Sequence, residues 1–438
     1  MTDWKKYFSD DNIFFVTPDV KRGLGFTGIL SQYHIICTDL DPIIPALRIQ
    51  GAKIFCLEEE GSVDVSEMRN SGKLLENLRV LEYIKNNSKG APKVMYFKPS
   101  LKIDSLVKLH GFTPIGNNTA LNELFEDKVS FAQIAKNIFP DYLLPSISGI
   151  LGELNYPDLY GKLSSPLVLQ FGHGWAGKTT FFINGEEEFE ILSQKFPYTK
   201  VKISKFIEGF TVLNNCCLYQ GQIYISSPAV QIDGIEELGS KPGATCGRQW
   251  PAKFITNAQV SQIEVISRNL GKLMNEKGFR GFLGIDFLIE EKTGKIYLSE
   301  VNARMTASSA FYTLLEIGSG SIPLLAYHMA EFLGKSIKDK FEENNNLVGS
   351  QVIMRSGRSL TNVDSHLFGV FKYENNRTKF IRDEYYPNKL RDGEYIFMGK
   401  RLKEGNSTDE FARIETKYEI LEKPRKFNKQ FKRIINNY

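Results

Sequence analysis

Four short apolar runs, at residues 13–17, 34–38, 53–57 and 94–97, alternate with polar or helix-forming stretches over the first 120 residues. Apolar strands spaced by such connections predict a small α/β domain built on a parallel sheet. From Asn122 the period changes. Phe131, Ile134, Ala135 and Ile138 recur at helical spacing behind Glu123, Glu126, Asp127 and Lys128, until Pro140 and Pro145 close the helix. Residues 167–171 and 179–183 read as two strands around a glycine-rich loop, since apolar, β-branched and aromatic residues fill them, and the second is expected to end in a hairpin turn at Asn184-Gly185. There follow a helical segment near 186–195, a strand at 202–207 that reaches Glu208-Gly209, long strands through Gln231, a helix-period stretch at 258–277, and a hairpin between Gly281 and Asn302. Residues 342–346, EENNN, look like a linker, and strand-like pieces at 348–354 and 367–373 precede a basic tail. The pattern divides the chain into an α/β unit at 1–120, a unit of mixed helices and strands at 121–342 and a small β-containing extension at 343–438 with a basic terminal helix.

Composition narrows the partners. A chain of 438 residues with 42% hydrophobic content buries more than one core, and a net charge of +4 is too small to imply nucleic-acid binding. No apolar run approaches the roughly 18 residues that span a bilayer, and the start, MTDWKKYFSDDN, lacks the apolar stretch of a signal peptide. The expectation is a cytoplasmic protein with neither membrane nor nucleic acid as partner. Five cysteines stand outside any C-x-x-C pair and five histidines are scattered, so zinc and Cys-His chemistry find no support. Cys216 and Cys217 read as core packing, with reduced thiols throughout.

Two glycine patterns compete for attention. Gly172 to Thr179 matches G-x-x-x-x-G-K-[ST], yet a P-loop needs a helix after the loop to supply its amide donors and dipole, and here a strand follows. The alternative is a flap at 172–178 that covers phosphate with its backbone N–H groups and with Lys178. Gly23 to Gly28 matches G-x-G-x-x-G, but the next strand follows too soon for the helix of a dinucleotide-binding unit. These glycines are expected to form a flexible loop near the ligand edge of the first sheet.

The stretch GFLGIDFLIEEKTGKIYLSEVNARMT carries the most chemistry. With a turn at Lys292-Thr293-Gly294, alternation sets Asp286, Leu288 and Glu290 on one face of the first strand and Leu298, Glu300 and Asn302 on one face of the second. The other face would carry Ile285, Phe287, Ile289, Tyr297 and Val301. Two carboxylates and an amide oxygen that converge in this way suit Mg²⁺, which keeps some waters and takes further oxygens from phosphates. A solvated hairpin would explain any one of these acids, but not Asp286, Glu300, Asn302 and Arg304 together.

These residues resemble the ATP-grasp superfamily. The likeness lies in Asp286 followed by Glu300-Val301-Asn302-Ala303-Arg304, in the loop from Gly172 to Lys178, in Lys205-Phe206-Ile207-Glu208-Gly209, and in Asp127-Lys128, and it covers about residues 1 to 335. It implies an ATP-grasp fold preceded by a parallel-sheet pre-grasp domain and followed by a small C-terminal domain. It also implies that adenine lies between the lobes against the segment from Lys205 to Glu208, bonded by the Lys205 side chain and the Ile207 backbone. Gly172, Gly174, Gly177 and Lys178 would cover the phosphates, and Lys128 would reach one of them. Asp286, Glu300 and Asn302 would hold Mg²⁺, with Mn²⁺ as an alternative ion, while Arg304 and Lys178 would face the reacting groups. The chain departs from the pattern twice: Gln170 stands where many members have a phosphate-binding lysine, and Thr211 where some have a ribose-binding glutamate.

The implied activity is ligation of a carboxylate and an amine through an acylphosphate, releasing ADP and phosphate, most similar to the peptide ligases of natural-product pathways. Amino acids or peptides are the expected substrates. Transfer of the acyl group to a carrier-protein thiol, or an ATP-binding regulatory module without ligation, are the alternatives. No biotin-attachment sequence is present. In the tail, Phe427, Phe431 and Ile434 recur at helical spacing among lysines, which predicts a terminal helix docked on the body rather than a membrane or RNA contact.

Overall fold

Strands covered on both faces read as continuous apolar runs, and the first runs of this chain do so for that reason. The structure, a computed structural model, describes residues 3–61, 68–172, 179–238, 244–339, 341, 346–355, 366–400 and 410–438. In it a five-stranded, wholly parallel sheet is ordered Lys53–Cys56, Tyr33–Cys37, Ile13–Val16, Lys93–Tyr96, Thr113–Ile115. Phe14, Val16 and Ile36 pack with the helices Ser71–Glu76, Leu78–Asn86 and Leu101–His110. On the opposite face Ile13, Phe15 and Ile35 share a core with the later helices Ser309–Gly318 and Leu324–Phe332.

The glycines from Gly23 to Gly28 are not a flexible loop. Val20–Phe26 forms a buried 3-10 turn, and a Cβ at Gly23 would stand 3.0 Å from the Ile35 side chain, one at Gly25 3.2 Å from Thr313. They are there because the turn is wedged between the first sheet and the helix Ser309–Gly318.

Two further sheets meet downstream. A four-stranded antiparallel sheet runs Ser146–Ile150, Lys200–Lys205, Leu167–Phe171, Thr180–Ile183, with the helices Tyr156–Leu163 and Glu186–Lys195 over a core of Leu159, Leu167, Leu169, Phe189, Val201 and Ile203. The expected turn at Asn184-Gly185 is instead a helix start. The Glu188 carboxylate accepts the Asn184 N–H at 2.7 Å, and Glu186, Glu187 and Glu188 fill the first turn, where the helix dipole favours negative charge. The large antiparallel sheet begins Ile296–Asn302, Gly281–Glu290, Gly209–Tyr219, Ala229–Asp233, Thr245–Trp250, and continues with Gly349–Arg355, Glu410–Thr416, Glu394–Gly399, Phe368–Glu374 and Arg377–Arg382. The C-terminal strands thus extend the sheet that carries the acidic hairpin. All five cysteines are buried and free, Cys216 and Cys217 within the strand Gly209–Tyr219. Among the described residues no helix is long and apolar enough to cross a membrane.

The tail ends in the helix Lys429–Ile435, capped by Asn428, whose side chain accepts the Phe431 N–H. Phe431, Ile434 and Ile435 are fully buried, and the Tyr438 ring stacks on Phe397 at 4.4 Å. Phe431→Ala should therefore lower the unfolding free energy by about 3–5 kcal/mol through lost burial and a residual cavity. The urea midpoint reads this out, and a change within about 0.5 kcal/mol would mean that the helix is not docked.

Candidate active site

Antiparallel pairing sets Asp286 directly opposite Glu300 and Gly284 opposite Asn302. The alternation does not run unbroken, however. A bulge lies between Asp286 and Phe287, where Phe287 pairs with Leu298, so Ser299 is the extra residue. That residue turns Leu298 toward the apolar face with Ile285, Phe287 and Ile289, all in one core, and moves Tyr297 to the face opposite Leu288. The sequence-based faces of Leu298 and Tyr297 are thereby exchanged, while Glu300 keeps its place beside Asp286.

Two like charges this close need cations. Lys128, at the first position of the helix Lys128–Lys136, puts its Nζ 2.9 Å from Glu300 Oε2. Arg248, on the strand Thr245–Trp250, reaches to 3.9 Å from Asp286 Oδ1. Burial pushes the Asp286 carboxyl up to about 6, helped by Glu300 and opposed by Arg248 and Lys128. The Asn302 amide donates to Asp286 Oδ2 at 3.4 Å and its Oδ1 accepts from Arg304 Nη2 at 3.0 Å. Asp286 Oδ1 is buried without a hydrogen-bond partner among the described residues. An orphaned carboxylate oxygen beside a second carboxylate and an amide oxygen is a hard-oxygen donor set that fits Mg²⁺. Among the described residues no three His, Cys, Asp or Glu side chains gather as a metal-holding group.

Arg304 continues the line. Its Nε lies 2.6 Å from Glu126 Oε1, and Lys98 Nζ lies 2.9 Å from the other oxygen of Glu126. Burial works to raise the Glu126 carboxyl, but Arg304 and Lys98 outweigh it and hold it below its ordinary range. The Arg304 guanidinium carbon sits 5.1 Å from the centre of the Phe97 ring, and that of Arg22, from the first domain's glycine turn, sits 4.0 Å from the same ring. Arg22, Phe97, Lys98, Glu126 and Arg248 were not among the candidate site residues of the sequence: Glu126 and Phe97 read there only as parts of a helix start and an apolar run, and all five meet their partners from other parts of the chain.

The remaining candidates lie along the junction of the two antiparallel sheets. Residues 206–208 carry the chain from Lys200–Lys205 into Gly209–Tyr219. Phe206 N–H bonds the Pro166 carbonyl at 3.0 Å and the Glu208 carbonyl accepts from Glu291 N–H at 3.1 Å, while the Ile207 backbone takes no hydrogen bond among the described residues. An unused peptide edge suits a purine. The Lys205 side chain is exposed. Gly172 is needed for close approach: a Cβ there would run into the Asp127 carboxylate, and the Gly172 carbonyl accepts the Lys128 N–H at 3.1 Å. Gly174, Gly177 and Lys178 lie outside the described residues. Gln170 pairs directly with Lys202 across the small sheet, a neighbour that the sequence reading missed.

No protein-family model matches the chain. It is 24% identical over 187 residues, 42% of this chain and 43% of the other, to the [butirosin acyl-carrier protein]–L-glutamate ligase of Niallia circulans. It is 23% identical over 232 residues to the carbamoyl phosphate synthase large chain of Caldanaerobacter subterraneus subsp. tengcongensis, covering 51% of this chain and 20% of that one. The chain thus spans less than half the length of these curated relatives. Among solved structures, N5-carboxyaminoimidazole synthetase from Staphylococcus aureus complexed with ADP superposes with a TM-score of 0.56 at 12% identity over 92% of both chains. Biotin carboxylase from Campylobacter jejuni gives 0.63 at 13% identity over 92% of this chain and 86% of that one. The biotin carboxylase domain of Hydrogenobacter thermophilus 2-oxoglutarate carboxylase, with MgADP and bicarbonate, gives 0.62 at 13% identity over 92% and 85%.

The Asp286 shift has a sign that can be tested. With the carboxyl raised from its ordinary 3.8 to about 6, the folded protein holds this proton more tightly than the unfolded chain, so the group's contribution to stability falls as pH rises between those values. Asp286→Asn removes that cost. At pH 7 the nucleotide-free variant should melt no lower than the wild type, while MgATP no longer raises its melting temperature. A variant that MgATP stabilises as much as the wild type would remove Asp286 from the metal set.

Proposed function

We propose that this chain, which has the ATP-grasp fold, uses MgATP to join a carboxylate to an amine through an acylphosphate. The observation that carries this reading is the continuous line of polar contacts from Lys128 and the Asp286–Glu300 pair, through Asn302, to Arg304, which shares the Phe97 ring with Arg22. Adenine lies against the free peptide edge at Ile207, with the phosphates directed toward Lys128. A magnesium ion held by Asp286, Glu300 and Asn302 would neutralise charge on the phosphate oxygens.

Arg304 donates from Nη1 to the Met305 carbonyl and from Nη2 to Asn302 Oδ1, with Glu126 as its ion-pair partner, which leaves donors of its five N–H groups for a carboxylate. Arg22 approaches the same ring and offers a second planar fork. Held there, a carboxylate oxygen attacks the γ-phosphorus, the bond from that phosphorus to the bridging oxygen breaks, and ADP leaves. The amine then attacks the acyl carbon, gives up a proton, and phosphate departs. Exclusion of water by the segment 172–178 would protect the acylphosphate in between.

A second reading is acyl transfer to a carrier-protein thiol. The Niallia relative, by its name a ligase of L-glutamate and an acyl-carrier protein, favours it. Both readings share the first half-reaction and differ only in the nucleophile that ends it. Carboxylation, the chemistry named in several solved relatives, would differ in requiring bicarbonate.

Incubation with MgATP, hydroxylamine and a panel of amino acids and carboxylic acids should release one ADP per hydroxamate formed, dependent on one class of carboxylate. Stoichiometric AMP would sink the acylphosphate route, and ADP release that requires bicarbonate alone would favour carboxylation. In the active combination, Glu300→Gln should lower turnover by about two orders of magnitude or more, because it removes charge where electrostatic stabilisation dominates. Near wild-type turnover at limiting Mg²⁺ would take Glu300 out of the site.

A further inference from the structure

We propose that Lys202 is a phosphate-binding residue, reaching the nucleotide from the strand beside the one that leads into the glycine-rich segment. The proposal rests on the ATP-binding part of the reading above and not on the ligation step. Lys202 lies in the strand Lys200–Lys205, with Ser148 opposite it on one side and Gln170 on the other. Directly paired residues of antiparallel strands project from the same face, so Lys202 and Gln170 share the face turned away from the core that Val201 and Ile203 join. The helix Lys128–Lys136 packs across these same two strands. The site therefore gains its second lysine one strand over from Gln170.

Lys202 is 95% buried, at 5% relative exposure, and among the described residues it has neither an ion-pair partner nor a hydrogen bond. A buried, unpaired ammonium is expensive. Lys128, the nearby cation, already has Glu300 as its partner, and Arg248 faces Asp286, so both carboxylates of the pair have a cation without Lys202. Burial, reinforced by Lys128 and opposed by Glu300, brings the Lys202 ammonium down to about 8. Without nucleotide Lys202 is left with no carboxylate of its own among the described residues. Phosphate oxygens would supply that partner, since the reading above places the substrate carboxylate at Arg304 and Arg22 instead. A lysine kept only for packing would be replaced by methionine without consequence for any ligand.

The test compares ATP, ADP and adenosine binding by calorimetry for the wild type, Lys202→Met, and the swap Gln170→Lys with Lys202→Gln. Loss of a charge-assisted hydrogen bond should weaken ATP and ADP binding of Lys202→Met by about tenfold to a hundredfold and leave adenosine unchanged. The swap, which returns a lysine to the same face one strand away, should recover most of the ATP affinity. Unchanged ATP binding in Lys202→Met would overturn the proposal. So would parallel loss of ATP and adenosine, which marks a structural role, or a folded swap with no recovery. If Lys202→Met does not fold, the swap alone decides. A wild type that binds ATP but ligates nothing would refute the ligase and leave this assignment standing.

Discussion

The pairing of Asp286 with Glu300 is the constraint on which the rest of the site depends. Two carboxylates opposite one another in a half-buried hairpin repel, and hairpin geometry alone offers no relief. The cations that offset them come from the start of the helix Lys128–Lys136 and from the strand Thr245–Trp250. Those elements are more than a hundred residues apart, so the electrostatics of one hairpin fixes how the helix, the small sheet and the large sheet meet. Lys128 is in turn tied through its N–H to the carbonyl of Gly172, at the mouth of the glycine-rich segment. The pair is therefore linked to the entrance of that segment through one side chain and one backbone hydrogen bond.

The two antiparallel sheets divide the labour by their faces. The small sheet buries Val201 and Ile203 under its own helices, which leaves Lys202 and Gln170 on the side toward the hairpin. The large sheet buries Ile285, Phe287 and Leu298 in the other direction, which leaves Asp286, Glu300 and Asn302 facing back. Polar residues gather between the sheets because each sheet has already spent its apolar face elsewhere. The bulge at Ser299 serves this arrangement. It lets Leu298 join the core without carrying Glu300 there with it.

Much of this was legible in the sequence, for local reasons. That Asp286 and Glu300 share one hairpin followed from the turn at Lys292-Thr293-Gly294, but their direct pairing comes through the bulge: the strands leave the turn with Ile289 opposite Ile296, and the extra Ser299 brings Glu300 opposite Asp286. The first sheet announced itself because doubly buried strands leave continuous apolar runs. The bulge was not legible, since an extra residue in a strand leaves no mark in composition, and neither was the helix start at Asn184-Gly185, where a dipeptide common in hairpin turns is captured by the Glu188 carboxylate. The glycines at 23–28 read as flexible because their packing partners, Ile35 and Thr313, lie at other points in the sequence. Lys202 and Arg22 were hidden for the same reason. Each matters through a neighbour across a sheet or across a ring.

The first sheet also bears on the chemistry, through the carboxyl ends of its strands, where open α/β sheets receive ligands. Phe97 follows the strand Lys93–Tyr96, and the turn bearing Arg22 follows Ile13–Val16. That turn packs at Gly25 against Thr313 of the helix Ser309–Gly318, a helix that begins five residues after Arg304. Both guanidinium groups around Phe97 are thus anchored to the same helix, one by packing and one by chain continuity. Arg304 is further held by Glu126, whose helix Thr119–Glu126 is tied to the hairpin where the Asn122 amide donates to the Ala303 carbonyl at 3.1 Å. Two forks fixed to one support are held at a set separation, and on the proposed reading a carboxylate bound between them would meet the nucleotide in a fixed orientation, which favours transfer by positioning.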